Sequence, residues 1–263
     1  MNFYRSLIAI FNLKTLIVTV LAIVSTYLCI QYELIVEFSL TLVGIAVVFP
    51  IVFTIGGAYT KREDALKYYA TIKGHLRSLY YASRDWPETK EAAHVERLRN
   101  LIRELLSGIR DFFLTTNEKD KNAKEKHIYS VFSRMSLYIQ EFRDRGLQSG
   151  EVSRTNQYLS KIMDAFEGLK HVYQYRTPIS LRAYSKIFVV LVPIVYGPYF
   201  ASMAKDFELT LLMSMVEPVL FSIVLVSLDN IQSHLENPFD LVGSDDVKIN
   251  AEKLVDNLLC ENE

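Results

Sequence analysis

Four long apolar segments constrain this chain more than any other feature of its sequence. Residues 15–32, 38–60 and 187–204 contain no Asp, Glu, Lys or Arg, and a fourth segment, residues 209–228, contains only Glu217. A helix of roughly 20 apolar residues crosses the roughly 30 Å hydrocarbon layer of a bilayer. The segments therefore predict an integral membrane protein with four transmembrane helices.

The basic residues predict how these helices are oriented. Residues 33–37, which join the first two segments, contain no Lys or Arg, and only Lys205 lies between the last two. Basic residues gather instead after the second segment, within residues 61–77, and before the third, within residues 170–186. Cytoplasmic loops of membrane proteins carry an excess of Lys and Arg. We therefore expect a multi-pass protein of the cell membrane with both termini and its middle part in the cytoplasm.

The remaining composition excludes several function classes. The 29 Lys and Arg residues balance 30 Asp and Glu residues, so a nucleic-acid partner is not expected. The two cysteines form no Cys-x-x-Cys pair, and the five histidines are scattered, which disfavours a metal site of nitrogen and sulfur ligands. Walker, Gly-x-Ser-x-Gly and dinucleotide-binding motifs are missing from the sequence, so an enzyme is not expected either.

The charged middle of the chain is predicted to be helical throughout. Apolar residues recur at intervals of three and four over residues 95–113 and 128–142, which is typical of one buried helix face. Breaks are expected at Trp86-Pro87, in the charged run 117–126 and at residues 148–150. A third set with the same spacing is Leu159, Ile162, Met163, Phe166 and Leu169.

Together these patterns predict an all-α membrane protein in four parts. The cytoplasmic helices are expected to continue the membrane helices inward. The four parts are residues 1–60 with an N-terminal helix and the first two spans, 61–182 with the cytoplasmic helices, 183–230 with the last two spans, and 231–263 with a cytoplasmic tail.

The second span carries a regular stripe of bulky side chains. Ile45, Phe49 and Phe53 are spaced i, i+4, i+8, which places them along one side of a helix. One interpretation is a face that contacts lipid or another helix. The other is a hydrophobic constriction, formed where several copies of the helix surround one axis, which would gate by dewetting.

Glu217 is the charged residue inside the fourth span. A carboxylate at membrane depth is costly and usually faces a bundle interior or a watery path. There it could act as the proton carrier of a coupled transporter. Alternatively, the helix proper begins at Pro218 and Glu217 lies at the level of the outer headgroups.

Three stretches of sequence carry a resemblance to a known family. Residues 228–240 read Leu-Asp-Asn-Ile-Gln-Ser-His-Leu-Glu-Asn-Pro-Phe-Asp, and the approach to the third span, residues 166–179, runs from Phe-Glu-Gly-Leu-Lys to Arg-Thr-Pro-Ile. With residues 43–59 of the second span, these stretches resemble the bestrophin family of pentameric ion channels, chiefly its bacterial branch. The resemblance covers nearly the whole chain and implies a ring-shaped homopentamer with one central pore.

The resemblance also implies roles for particular residues. The apolar neck of the pore falls on Ile45, Phe49 and Phe53, and a second, cytoplasmic aperture falls on Thr177. The implied function is passive conduction of small inorganic anions such as chloride, although some bacterial relatives favour cations. The alternative from another class is a non-conducting, membrane-anchored scaffold that binds a partner protein.

The resemblance suggests calcium as a possible cofactor. Animal members of the family bind it with acidic residues after Asn-Pro-Phe, which correspond here to Asp240, Asp245 and Asp246. Calcium prefers six to eight oxygen ligands, and Leu-Val-Gly-Ser interrupts these three carboxylates. A structural turn or helix cap is therefore the favoured interpretation, and no resident cofactor is expected.

Overall fold

Helices account for the regular structure of the residues that the structure describes. A computed structural model describes residues 11–36, 40–175, 178–206, 210–239, 247–250 and 256, and no strand occurs within these ranges. This confirms the all-α prediction. The helices are α1 Leu13–Gln31, α2 Leu40–Asp85, α3 Ala92–Leu114, α4 Glu118–Gln140, α5 Ser149–Gln174, α6 Ile179–Val195, α7 Gly197–Asp206, α8 Leu211–Ser214 and α9 Val216–Leu235.

The predicted membrane spans correspond to helical stretches. Within the described ranges, four stretches are long and apolar enough to cross a membrane, namely Leu13–Gln31, Gly44–Asp85, Ser180–Lys205 and Leu211–Leu235. Helix α2 continues without a break for 46 residues, well beyond the apolar segment that begins it. The expected continuation of a membrane helix into the charged part of the chain is therefore confirmed for α2.

The third and fourth spans differ from the expectation because each consists of two consecutive helices. Helix α6 ends at Val195, and Tyr196 separates it from α7. Pro198 lies in the first turn of α7, where a missing amide hydrogen is tolerated. In the fourth span α8 ends at Ser214 and α9 begins at Val216.

The chain divides into two units, which we name the membrane unit and the polar unit. Among the described residues, the membrane unit comprises residues 11–62 and 178–238, and the polar unit comprises residues 63–175, 239 and 247–256. Helix α2 contributes its first part to the membrane unit and its second part to the polar unit. The core of the membrane unit consists of Val18, Val47, Ile51, Val189, Val192, Tyr196, Phe200, Leu225 and Val226.

The core of the polar unit follows the predicted helix faces closely. The apolar residues at the predicted spacings in α3 and α4 are buried, apart from Val95, which packs against the core half-buried. In α5, Leu159, Ile162, Phe166 and Leu169 are buried as predicted. Met163 is 36% exposed, so its assignment to the buried face was wrong.

The charged run 117–126 was wrongly expected to interrupt the helices. Helix α4 begins at Glu118, inside that run, and the break is confined to residues 115–117. The Asn117 side chain accepts a hydrogen bond from the Lys119 amide at 3.1 Å, which caps the new helix. Glu118 and Asp120 in the first turn add favourable charge at the positive end of the helix dipole.

Candidate functional site

The predicted neck residues lie on the face of α2 that points away from the core of the membrane unit. Ile45 is 61% exposed, Phe49 is 69% exposed and Phe53 is 68% exposed. The opposite face of the same helix contributes Val47 and Ile51 to the core. We call Ile45, Phe49 and Phe53 the α2 stripe. Its three bulky apolar side chains are available to lipid or to other protein copies.

The stripe ends where the side chains become small. Gly56 and Gly57 follow Phe53, and a Cβ atom added at either glycine would meet nothing within 4 Å. The Thr60 hydroxyl turns back and donates to the Gly56 carbonyl at 3.0 Å, which satisfies its own hydrogen-bonding need locally. A surface built from this face of α2 would therefore be narrowed by the stripe and wider immediately after it.

A proline interrupts the hydrogen bonding of α2 within the stripe. Pro50 lies inside the helix, directly after Phe49. Proline has no amide hydrogen, so the carbonyl of Ala46, four residues earlier, loses its helical donor. The Tyr184 hydroxyl of α6 donates to this carbonyl instead, at 3.1 Å. In the sequence, Pro50 marks a carbonyl that lacks its helical donor, but no local pattern identifies Tyr184 as the replacement.

Glu217 lies in the first turn of α9, immediately before Pro218. Its side chain is exposed on the surface of the membrane unit, whereas Pro218 is buried. A carboxylate in the first turn of a helix is favoured by the helix dipole. The exposed position leaves Glu217 available to solvent, headgroups or ions rather than to the interior of its own unit.

The other predicted site residues lie outside the described residues. These are Thr177, assigned to the cytoplasmic aperture, and Asp240, Asp245 and Asp246, assigned to calcium. Within the described ranges, no group of three or more His, Cys, Asp or Glu side chains is placed to hold a metal ion. The aperture and calcium assignments therefore stay predictions.

Two ion pairs give a structural role to the charged residues Asp229 and Glu236 of the 228–240 stretch. The sequence alone did not predict their partners. Asp229, only 2% exposed, accepts from the Lys14 ammonium at 2.5 Å, which ties α9 to α1. Next to this pair, the Asn12 side-chain amide donates to Asn230 at 3.1 Å. Glu236 lies 3.1 Å from the Arg182 guanidinium of α6. This stretch therefore links three helices of the membrane unit.

Comparison with known proteins places these features in a recognised architecture. No family model and no curated protein matches the chain. Among solved structures, a Trp-to-Ala variant of a bacterial bestrophin homologue from Klebsiella pneumoniae is 17% identical with a TM-score of 0.76, and the match covers 94% of this chain and 96% of that one. An Ile-to-Thr variant of such a homologue, also 17% identical, matches over 97% of this chain and 98% of that one with a TM-score of 0.71. The chain thus has the fold of the bacterial bestrophin homologues.

Proposed function

We propose that this protein is an ion channel in which several copies, most simply five, form a ring around the α2 stripe. Small inorganic ions would pass along the central axis of the ring without energy coupling or catalysis. The observation that carries this proposal is the exposure of Ile45, Phe49 and Phe53 on the face of α2 opposite its packed face. The fold that the chain shares with the bacterial bestrophin homologues supports it, because the sequence resemblance to that family assigns the neck of the pore to the same three residues.

The stripe would act as the barrier to conduction. A ring of isoleucine and phenylalanine side chains makes a narrow apolar passage, and such constrictions gate by dewetting. Anions such as chloride are the favoured ions, since the edges of phenyl rings carry weakly positive hydrogens. The small residues after Phe53 would let a passing ion regain its water on the cytoplasmic side.

A channel that favours cations is the second candidate function. The exposed carboxylate of Glu217 is the observation that favours it. Rings of Asp or Glu side chains concentrate cations at the mouths of cation channels. In such a channel Glu217→Gln would shift the reversal potential away from the cation equilibrium value.

The expected membrane orientation completes the proposal. Lys14 precedes the first span, Lys61 and Arg62 follow the second, and Arg182 and Lys186 precede the third. These positions favour cytoplasmic termini and a cytoplasmic polar unit. The proposal includes no resident cofactor, so calcium chelation is expected to leave conduction unchanged.

The experiment that tests the proposal is single-channel recording of Phe49→Ala in planar bilayers. Truncating this side chain widens the constriction and lowers its dewetting barrier, so the single-channel current should rise. Phe11→Ala is the matched control, because Phe11 is also an exposed phenylalanine, at 50%, but lies outside α2. The control should conduct like the unaltered protein. A current in Phe49→Ala equal to that of the unaltered channel would remove Phe49 from the pore.

A further inference from the structure

Pro50, inside α2, creates a need for a hydrogen-bond donor from outside the helix. The Ala46 carbonyl cannot receive a bond from residue 50, because proline has no amide hydrogen. Within a membrane, where water is excluded, such a carbonyl requires another protein donor. The Tyr184 hydroxyl supplies it at 3.1 Å.

Tyr184 is held in place by its own helix. Its ring packs against the ring of Phe188, one turn further along α6, with centroids 4.3 Å apart. Phe188 in turn packs against the core of the membrane unit. Helix α2 contributes Ile51 to this core, and α6 contributes Val189. The donor is therefore fixed by the same contacts that join the two helices.

The location of this bond connects it to the α2 stripe. Ala46 directly follows Ile45, and Pro50 directly follows Phe49. Sharp kinks in helices arise at proline, where the helical bonding is interrupted. The bonded carbonyl thus lies between two stripe residues, at the point where the helix is free to bend.

We propose that Tyr184 is a positioning residue of the neck. Its hydroxyl holds the Ala46 carbonyl of α2 and thereby sets how far Ile45 and Phe49 project towards the axis of the ring. Tyr184 itself does not line the passage. This inference rests on the proposed channel function and adds a determinant of conductance on a different helix.

A similar contact elsewhere in the membrane unit provides a matched control. Pro198 in α7 cannot donate to the Ile194 carbonyl, and the Ser25 hydroxyl of α1 donates to that carbonyl at 2.7 Å. Ser25→Ala therefore removes a hydroxyl bond to a helix carbonyl four residues before a proline, in the last turn of α6, without touching α2. If such bonds had a purely structural role, Ser25→Ala and Tyr184→Phe would have the same effect on the single-channel current.

The test is a double-mutant cycle between Tyr184→Phe and Pro50→Ala, read as single-channel current. An ordinary hydrogen bond biases a conformational equilibrium by roughly two- to tenfold, so Tyr184→Phe should change the current by roughly twofold or more. Pro50→Ala restores an amide hydrogen at residue 50, which can donate to the Ala46 carbonyl. In that background Tyr184→Phe should have no further effect. Pro50→Gly supplies the same amide and replaces Pro50→Ala if that variant does not elute as an intact assembly.

The possible outcomes distinguish failure of the positioning role of Tyr184 from failure of the proposed channel function. Current in the unaltered protein, with a change in Tyr184→Phe that vanishes in the Pro50→Ala background, supports the positioning role. Additive effects, or a Tyr184→Phe current no different from that of Ser25→Ala, would overturn it while leaving the channel intact. Absence of current in the unaltered protein would contradict the channel function itself.

Discussion

His94 in α3 shows how the surroundings of one residue set its protonation. The side chain is only 3% exposed and stacks on Tyr138, with ring centroids 4.1 Å apart. Glu141 approaches its Nδ1 to 3.8 Å, yet neither ring nitrogen has a hydrogen-bond partner in the described part of the chain. Burial, followed by the positive charge of Arg145, lowers the pKa of His94 from 6.5 to about 4. His94 is therefore neutral in the folded protein at neutral pH.

The depressed pKa predicts that stability falls as the pH drops from about 6.5 towards 4. In this window the unfolded chain binds a proton that folded His94 excludes, so acid favours unfolding. The shift from 6.5 to about 4 corresponds to about 3 kcal/mol at its full extent. Unfolding free energies measured by denaturant titration at several pH values would show this loss.

The matched variants for this prediction are His94→Phe and His127→Phe. Phenylalanine keeps an aromatic ring against Tyr138 but cannot titrate, so His94→Phe should lose much of the pH dependence. His127 in α4 is a half-exposed histidine, and its replacement should leave the slope close to that of the unaltered protein. The same slope in His94→Phe and the unaltered protein would mean that other groups govern acid stability.

At the scale of elements, α5 approaches α2 through a glycine. A Cβ atom added at Gly168 would lie 2.5 Å from a ring carbon of Tyr68 in α2. Gly168 belongs to the Phe-Glu-Gly-Leu-Lys stretch that carries part of the family resemblance. The absence of a side chain there is therefore a packing requirement of the polar unit.

Gly168→Ala should lower the stability of the polar unit, whereas Gly150→Ala should not. Forcing a methyl group against the Tyr68 ring costs about 1–3 kcal/mol. Gly150 lies in the same helix, but an added Cβ there meets nothing within 4 Å, so alanine should stabilise α5 by up to about 1 kcal/mol. Thermal unfolding of both variants measures the difference. Equal melting temperatures would show that the Tyr68 ring can move aside with little loss of stability.

The sequence predicted best those helices whose formation depends on residues close together in the chain. The spacing of Leu98, Ile102 and Leu105 placed them correctly on one buried face of α3, because helical periodicity depends on neighbouring residues only. The helix of residues 118–126 was not predicted, because the run of charges there interrupts the apolar periodicity, although the Asn117 cap and the acidic first turn are local signals of a helix start. The bond between Tyr184 and Ala46 joins residues distant in sequence, and no local pattern predicts such a pair.

The same distinction applies to the candidate site. The α2 stripe followed from helical spacing, and its exposure agrees with a face directed away from the unit's own core. The partners of Asp229 and Glu236 depended on which helices pack together, so the sequence showed a conspicuous stretch without showing its contacts. Helix faces are local information, whereas contacts between helices are properties of the fold.

At the scale of the whole molecule, the exposed apolar surface of the membrane unit is the central property. Leu16 of α1, Phe49 of α2 and Leu212 of α8 are 62%, 69% and 79% exposed, respectively. Surfaces of this kind are covered by lipid or by other protein copies. In the proposed ring, the α2 stripe faces the axis. The purified protein should therefore have the mass of a closed oligomer, most simply a pentamer, whereas a monomer or dimer would favour a membrane-anchored scaffold.

The reversal potential of the purified protein in planar bilayers under a KCl gradient tests the channel account most directly. The account predicts a current that reverses near the chloride equilibrium potential, because the α2 stripe is neutral and its phenyl edges favour anions. Reversal near the potassium value would contradict the anion preference and favour the role of Glu217. No current from protein shown to be inserted in the bilayer would contradict the channel function itself.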